Sequence, residues 1–256
     1  MRVDDFRGLE DLFKQRGAGV FRGDVREVGA EVDASIVGAV AGGADGGEEC
    51  FPARGIAGER EDGVGADVGT EYFSALRFRE ESLEDRKTIS KYIGNKFITI
   101  SPGSVWFTKT LPSYKWIELI QKYKNDSPET TIYLLGSKAE SNLGDTIIAK
   151  SGHDKIANLA GKLSFLESTA LMECSEMNYV NDSAPLHMAG AINAPVTAVF
   201  CSTVPRFGFG PLSDLSKIAE TNLNLKCRPC GLHGYKSCPM THFKCAHSIE
   251  TIEILA

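Results

Sequence analysis

Three short stretches hold residue types suited to gripping an anion. Ser104 and Lys109 follow a Pro-Gly turn, Ser137 and Lys138 follow a glycine, and Asp182, Ser183 and Ala184 precede His187 by about one turn. Hydroxyls, a lysine and the free backbone N–H groups at a helix start together suit a diphosphate, because the helix dipole favours negative charge at that end. Each stretch also has a plainer use. Lys109 could be a solvated loop lysine, Asp182 and Ser183 a helix cap, and His187 a satisfied core histidine.

The elements that must position these residues are legible as apolar runs broken by turn residues. Met177 to Val180 reads as a strand stopped by Asn181-Asp182-Ser183, whose side-chain oxygens can cap the helix that follows. Pro185 fits the first helical turn, where its missing N–H costs nothing, and Leu186, Met188 and Ala189 can face a core. Asn193-Ala194-Pro195 ends that helix, and Val196 to Cys201 reads as the next strand. Ser183 to Pro205 carries no Asp, Glu or Lys and no Arg, so a membrane helix is a competing reading; Pro185, Pro195, Asn193 and His187 within it argue against one.

Upstream the same grammar repeats. Phe97 to Ile100 predicts a strand running into Ser101-Pro102-Gly103-Ser104, and Trp116, Ile117, Leu119, Ile120 and Tyr123 fall at helical spacing in a helix from Ser113. Thr131 to Leu135 predicts a strand, residues 139 to 150 a helix, Ile156 to Leu159 a fourth strand and Ser164 to Glu173 another helix. Strand, turn and helix recurring in this way predict an α/β fold, a Rossmann-like parallel sheet with helices on both faces. Ligands of such sheets sit at the carboxyl ends of the strands, where Gly103-Ser104, Gly136-Ser137 and Asp182-Ser183 all lie.

Composition sets limits and shows a seam. A formal charge of -6 gives no general pull towards nucleic acid or anionic lipid. From Gly23 to Gly69, 38 of 47 residues are Gly, Ala, Val, Asp or Glu, too few of them large and apolar to bury a core, so residues 1–70 are expected to be disordered. Those five amino acids share codons that begin with G, which also fits a segment foreign to the rest of the chain. Residues 71–94 carry mixed charges and read as a linker, leaving 95–256 as the folded domain with a cysteine-rich tail. The first sixteen residues are charged and are not a signal peptide.

Seven cysteines, an odd number, without an export signal favour a reducing compartment. Cys227, Cys230, Cys238 and Cys245, interspersed with His233, His242 and His247, offer a Cys-x2-Cys turn and a later pair that could clasp a structural zinc. A second Cys-x2-Cys is missing, so ordinary thiols remain the alternative. A cysteine-knuckle nucleic-acid module would need a basic, aromatic face, and Lys226, Arg228, Lys236 and Lys244 are too few to make one.

Four blocks in order, Ser101 to Pro112 (SPGSVWFTKTLP), Leu134 to Lys138 (LLGSK), Asn158 to Lys162 (NLAGK) and Asn181 to Ala189 (NDSAPLHMA), resemble the nucleotide-sugar-binding half of the family 9 glycosyltransferases, the lipopolysaccharide heptosyltransferases. The resemblance implies the C-terminal half of a B-type glycosyltransferase fold and transfer of heptose from ADP-heptose to the lipopolysaccharide inner core. It implies a cytoplasmic location with peripheral contact to the inner membrane, and no required cofactor. Carried over by position, Ser104 lies near the diphosphate and Lys109 neutralises it, while Asp182, Ser183, Ala184 and His187 surround sugar and phosphates. Ser137 and Lys138 fall where the family contacts the nucleoside. Lys109 and Asp182 are the expected catalytic pair, with Asp182, itself an anion, assigned to heptose hydroxyls or to orienting the helix-end donors. Ala184 departs from the family's usual glycine. No match to the family's acceptor-binding Gly-Asp turn is found in residues 1–70, so a non-catalytic binding remnant or a truncated fragment is the alternative reading.

Overall fold

The computed structural model describes residues 87–255. The expected disorder of residues 1–70 and most of the expected linker lie outside that range. Six strands form one parallel sheet: β1 Phe97–Ser101, β2 Thr131–Leu134, β3 Ile156–Asn158, β4 Asn178–Asn181, β5 Val196–Phe200 and β6 Ser216–Glu220. Their order across the sheet is β3-β2-β1-β4-β5-β6. Every neighbouring pair is parallel, with Phe97 opposite Thr131, Thr99 opposite Asn178 and Asn178 opposite Val196. The order reverses between β1 and β4, the point in such sheets outside whose carboxyl ends ligands bind in a crevice.

The helices are α1 Ser113–Asp126, α2 Ser141–Ser151, α3 Phe165–Glu173, α4 Ala184–Ala191 and two short C-terminal ones, α5 Lys244–His247 and α6 Thr251–Ile254. Their sequence signals act as expected. Ser164 caps α3 through its hydroxyl, which accepts from Glu167 N at 3.1 Å, while Glu167 Oε2 accepts from Ser164 N. Such a reciprocal pair satisfies two helix-end donors. Pro185 sits in the first turn of α4.

Strand alternation divides the interior into two cores. On one face Ile98, Ile100, Ile132, Leu134, Tyr179 and Val199 pack with Trp116, Leu119 and Ile120 of α1 and with the C-terminal residues Phe243, Ala246 and Ile254. On the other, Phe97, Tyr133, Val180, Val196, Ala198 and Phe200 pack with Leu171 and Met172 of α3 and Leu186 and Ala189 of α4. Trp116, Leu119 and Ile120 are wholly buried, and cutting Leu119 or Ile120 to alanine would cost about 2–5 kcal/mol. The polar pair inside the sheet is satisfied. Thr99 Oγ1 donates to Asn178 Oδ1 at 2.5 Å, and Asn178 Nδ2 donates to the carbonyls of Met172 and Pro195.

The observed elements depart from the sequence reading in informative places. The β2–α2 connection opens with a 3-10 turn, Lys138–Glu140, ahead of the α-helix. The uncharged stretch weighed as a membrane span is divided between α4 and β5. Among the described residues no helix is long and apolar enough to cross a membrane. β6, α5 and α6 were not legible as regular elements: Ser216 to Ile218 are exposed, so β6 lacks the apolar run of its neighbours.

Candidate functional site

The crevice between β1 and β4 is built from both strand tips. Asn181, the last residue of β4, is fully buried. Its Nδ2 donates to the carbonyls of Pro102 at 2.9 Å and Gly103 at 3.1 Å, and its Oδ1 accepts from Leu111 N at 3.0 Å. One amide therefore pins the turn after β1 and the end of the loop that carries Lys109. Asn181 was expected to help cap a helix; its amide instead reaches the turn after the neighbouring strand β1.

Lys109 closes a 3-10 turn, Phe107–Lys109, and its Nζ lies 2.9 Å from Asp182 Oδ2. Both side chains are largely enclosed, 15% and 6% exposed, so the pair is shielded from water. Thr203 Oγ1 donates to the same Asp182 oxygen at 2.5 Å. Asp182 thus does not stand free as a base: the ammonium and the hydroxyl share its Oδ2. Ser183 occupies the cap position of α4, yet makes no side-chain capping bond, and its hydroxyl leans back to Asn181 O at 3.4 Å. The expected hydroxyl cap is not made; Pro185 has no N–H and Leu186 N donates to Ser183 O at 3.0 Å, so of the first three helical positions Ala184 N–H is the one left for another acceptor. Ala184 begins α4. His187 lies in its first turns with its ring edge-on to Phe209 at 6.3 Å between centroids. Burial pushes the His187 imidazole below its ordinary value, with Asp182 opposing and Lys109 adding to the shift, so it stands neutral at pH 7.

On the other flank, Ser137 N and Oγ donate to Glu140 Oε2 at 2.7 and 2.8 Å. The Glu140 carboxylate leans over Gly103, where any Cβ would overlap it. A side chain at Gly103 would therefore displace this carboxylate from the β1 turn. Gly161 N donates to Gly136 O at 2.9 Å, fixing the Asn158 to Lys162 block beside the Ser137-Lys138 turn. Asn158 ties that block to α2, donating to Ser141 O and Asp145 Oδ1 at 2.9 and 2.7 Å. Ser104 sits half-buried in the β1 turn, and Lys138 is exposed at the rim.

The structure thus brings Lys109 and Asp182 into contact and places the tips of β2, β1 and β4, with Ser137, Ser104 and Ser183, side by side across the sheet. The residues missed in the sequence are Glu140, Asn181 in its bridging role, and Thr203. Glu140 had a signal: it stands three residues after Ser137, the spacing of a capping box.

The cysteine-rich tail folds back on the same end of the sheet. Thr108 exchanges two bonds with Tyr235, its N donating to Tyr235 O and its Oγ1 accepting from Tyr235 N at 2.7 Å. Burial pushes the Cys245 thiol up to about 11, and its neighbours Cys230, Cys238 and Cys227 add to the shift. These four sulfurs are therefore within electrostatic reach of one another. However, among the described residues no three His, Cys, Asp or Glu side chains are arranged to hold a metal ion, so the expected zinc ligands do not form a ready site. A separate hollow of about 490 Å³, lined by Asn224, Lys226, Met240, His242 and Lys244 among others, contains none of the crevice residues.

Comparison with known proteins gives this geometry a lineage. The family model described as Glycosyltransferase family 9 (heptosyltransferase) matches residues 66–236, more than half of the chain. Lipopolysaccharide heptosyltransferase 2 of Salmonella typhimurium is 27% identical over 113 residues, 43% of this chain and 32% of that protein. Lipooligosaccharide heptosyltransferase 2 of Haemophilus influenzae is 26% identical over 149 residues, 54% of this chain and 42% of that protein. The solved ADP-heptose lipopolysaccharide heptosyltransferase II of Escherichia coli is 21% identical, aligned over 65% of this chain and 50% of that one with a TM-score of 0.49. The chain spans about a third of the length of the Salmonella relative. By the match over residues 66–236, the chain belongs to glycosyltransferase family 9.

Proposed function

We propose that the crevice between β1 and β4 binds the donor of a heptosyl transfer, ADP-heptose, through its diphosphate. One observation carries this: an enclosed lysine, Lys109, meets the start of α4 at the point where the strand order reverses. Lys109 and the start of α4, through the Ala184 N–H and the helix dipole, supply positive charge where the departing ADP gathers negative charge. Such preorganised donors stabilise a leaving diphosphate without a metal. Ser104 and Ser183 add hydroxyls at the same strand tips. Glu140, an acceptor at the β1–β2 edge, suits the paired hydroxyls of a ribose, the role an acidic residue takes at a neighbouring strand tip in dinucleotide-binding sheets. Neutral His187 can donate to a phosphate or a sugar hydroxyl without changing the charge of the site.

In this reading the acceptor is the lipopolysaccharide inner core, and the chain works on the cytoplasmic side with peripheral contact to the inner membrane. Inversion at the sugar needs a base beside the acceptor hydroxyl. Asp182 is held by Lys109 and Thr203 and is poorly placed to be that base. This favours a second reading, in which these residues bind the nucleotide sugar without completing transfer by themselves.

Calorimetric titration of the 256-residue chain with ADP-heptose, ADP and UDP separates the outcomes. Donor binding predicts saturable uptake of ADP-heptose and ADP with UDP weaker. No uptake, or equal uptake of UDP, would remove the proposal. Adding lipopolysaccharide acceptor and measuring ADP release then distinguishes transfer from binding alone.

A further inference from the structure

Thr203 lies beyond every residue given a part in ligand contact so far, yet it touches the carboxylate on which Lys109 rests. The chain leaves β5 at Phe200, and Thr203, 1% exposed, turns its Oγ1 to Asp182 Oδ2 at 2.5 Å. Its own carbonyl is held in turn. Arg228 Nη2 donates to Thr203 O at 2.8 Å and to Phe200 O at 3.1 Å, and pairs with Glu220 Oε2 at 2.5 Å. One residue earlier, Ser202 O accepts from Cys230 N at 2.8 Å. Two consecutive carbonyls of the loop after β5 are thus fixed by the cysteine-rich tail, and the hydroxyl between β5 and the tail has a fixed direction.

We propose that Thr203 is a positioning residue of the donor site, acting through Asp182 on Lys109, with Arg228 holding Thr203 in place. A carboxylate oxygen has two lone pairs. With one taken by the Thr203 hydroxyl, the charge on Asp182 Oδ2 is shared, and the Lys109 amine can turn towards an incoming diphosphate without leaving that oxygen bare. Without the hydroxyl, the amine is the sole neutraliser of a carboxylate 6% exposed, and moving it to the ligand strips that carboxylate. The lysine is then retained by the protein and lost to the ligand. The inference rests on the Lys109 crevice being the donor site.

The test is a double-mutant cycle on the full chain, read by calorimetric titration with ADP, with thermal unfolding recorded for each variant. Thr203→Val keeps the shape and removes the hydroxyl; Thr203→Ser restores it, and Thr203→Ala stands in should the valine variant fold poorly. Loss of a hydrogen bond to a charged group predicts roughly tenfold weaker ADP binding for Thr203→Val and recovery in Thr203→Ser. In a Lys109→Met background the same change should alter affinity by less than about twofold, because the group it acts through is gone. Native affinity in Thr203→Val, or equal losses in both backgrounds, would overturn the positioning role while leaving the donor site standing. Native ADP affinity in Lys109→Met alone would remove the donor site and this inference with it.

Discussion

Replacing Lys109 by methionine probes the crevice at its charge. Methionine keeps most of the side chain's length and bulk and removes the ammonium that lies 2.9 Å from Asp182. Two unit charges about 4 Å apart attract by about 4 kcal/mol at an effective dielectric of ~20. Asp182 already draws on part of that field, so about half, ~2 kcal/mol, is available to a diphosphate. At 1.4 kcal/mol per decade this is roughly 30-fold in Kd for ADP. The same change leaves Asp182 enclosed and without its cation. Breaking such a pair costs about 3–5 kcal/mol when fully buried, and ~2–3 kcal/mol is expected here because the Thr203 hydroxyl stays. Adding Asp182→Asn should recover most of the stability and none of the ADP affinity. Calorimetry with ADP and denaturant unfolding of the three variants read both quantities. ADP affinity unchanged in Lys109→Met, or restored by Asp182→Asn, would refute the assignment of Lys109 to the diphosphate.

Other perturbations bear on other parts of the structure. His187 has its folded value pushed below the unfolded one near 6.5, so the unfolded chain binds the extra proton first; stability is full above pH ~6.5 and falls as pH drops towards the folded value, by up to ~1.4 kcal/mol per pH unit. His187→Gln should lose that slope relative to the parent, and parallel pH–stability curves between pH 7 and 5 would contradict it. Gly234 has φ of +81°, and a Cβ there would lie 2.8 Å from Thr108 Oγ1 and 3.1 Å from Lys109 Cγ. Gly234→Ala should therefore cost about 1–2 kcal/mol from the backbone alone and weaken ADP binding by displacing Lys109; an unchanged melting temperature and affinity would show that the tail does not brace the crevice. Among the described residues no three side chains are arranged around a metal, so the reduced chain as arranged is expected to show no stoichiometric tight zinc uptake. Tight one-to-one uptake, abolished by changing Cys227 and Cys230 to serine, would show that Cys227, Cys230, Cys238 and Cys245 close on a metal.

The inner strands of the parallel sheet were legible because they are buried on both faces and read as short apolar runs followed by turn residues, whereas the largely exposed β6 gave no such run. Phe97 to Ile100 and Val196 to Cys201 are of this kind, and their observed ends differ by one residue. The strand tips that carry Ser104, Ser137 and Asp182 followed from the same pattern. What the sequence could not show were bonds that join distant segments. Asn181 reads as a cap by type, and only the adjacency of β1 and β4 turns its amide towards Pro102 and Gly103. Thr203 is one hydroxyl in a turn, given meaning by Asp182 21 residues away. Thr108 and Tyr235 are 127 residues apart, and the tail between Lys226 and Phe243 has no periodicity that would announce where it docks.

The most direct test of the donor site is a backbone amide NMR titration of the 256-residue chain with ADP. Binding at the point of strand reversal predicts the largest shifts at Gly103, Ser104, Ser183 and Ala184, with smaller ones at Ser137 and none at the hollow lined by Lys226, His242 and Lys244. Shifts gathered at Lys226 to Lys244 with residues 103–104 and 183–184 unmoved would contradict it.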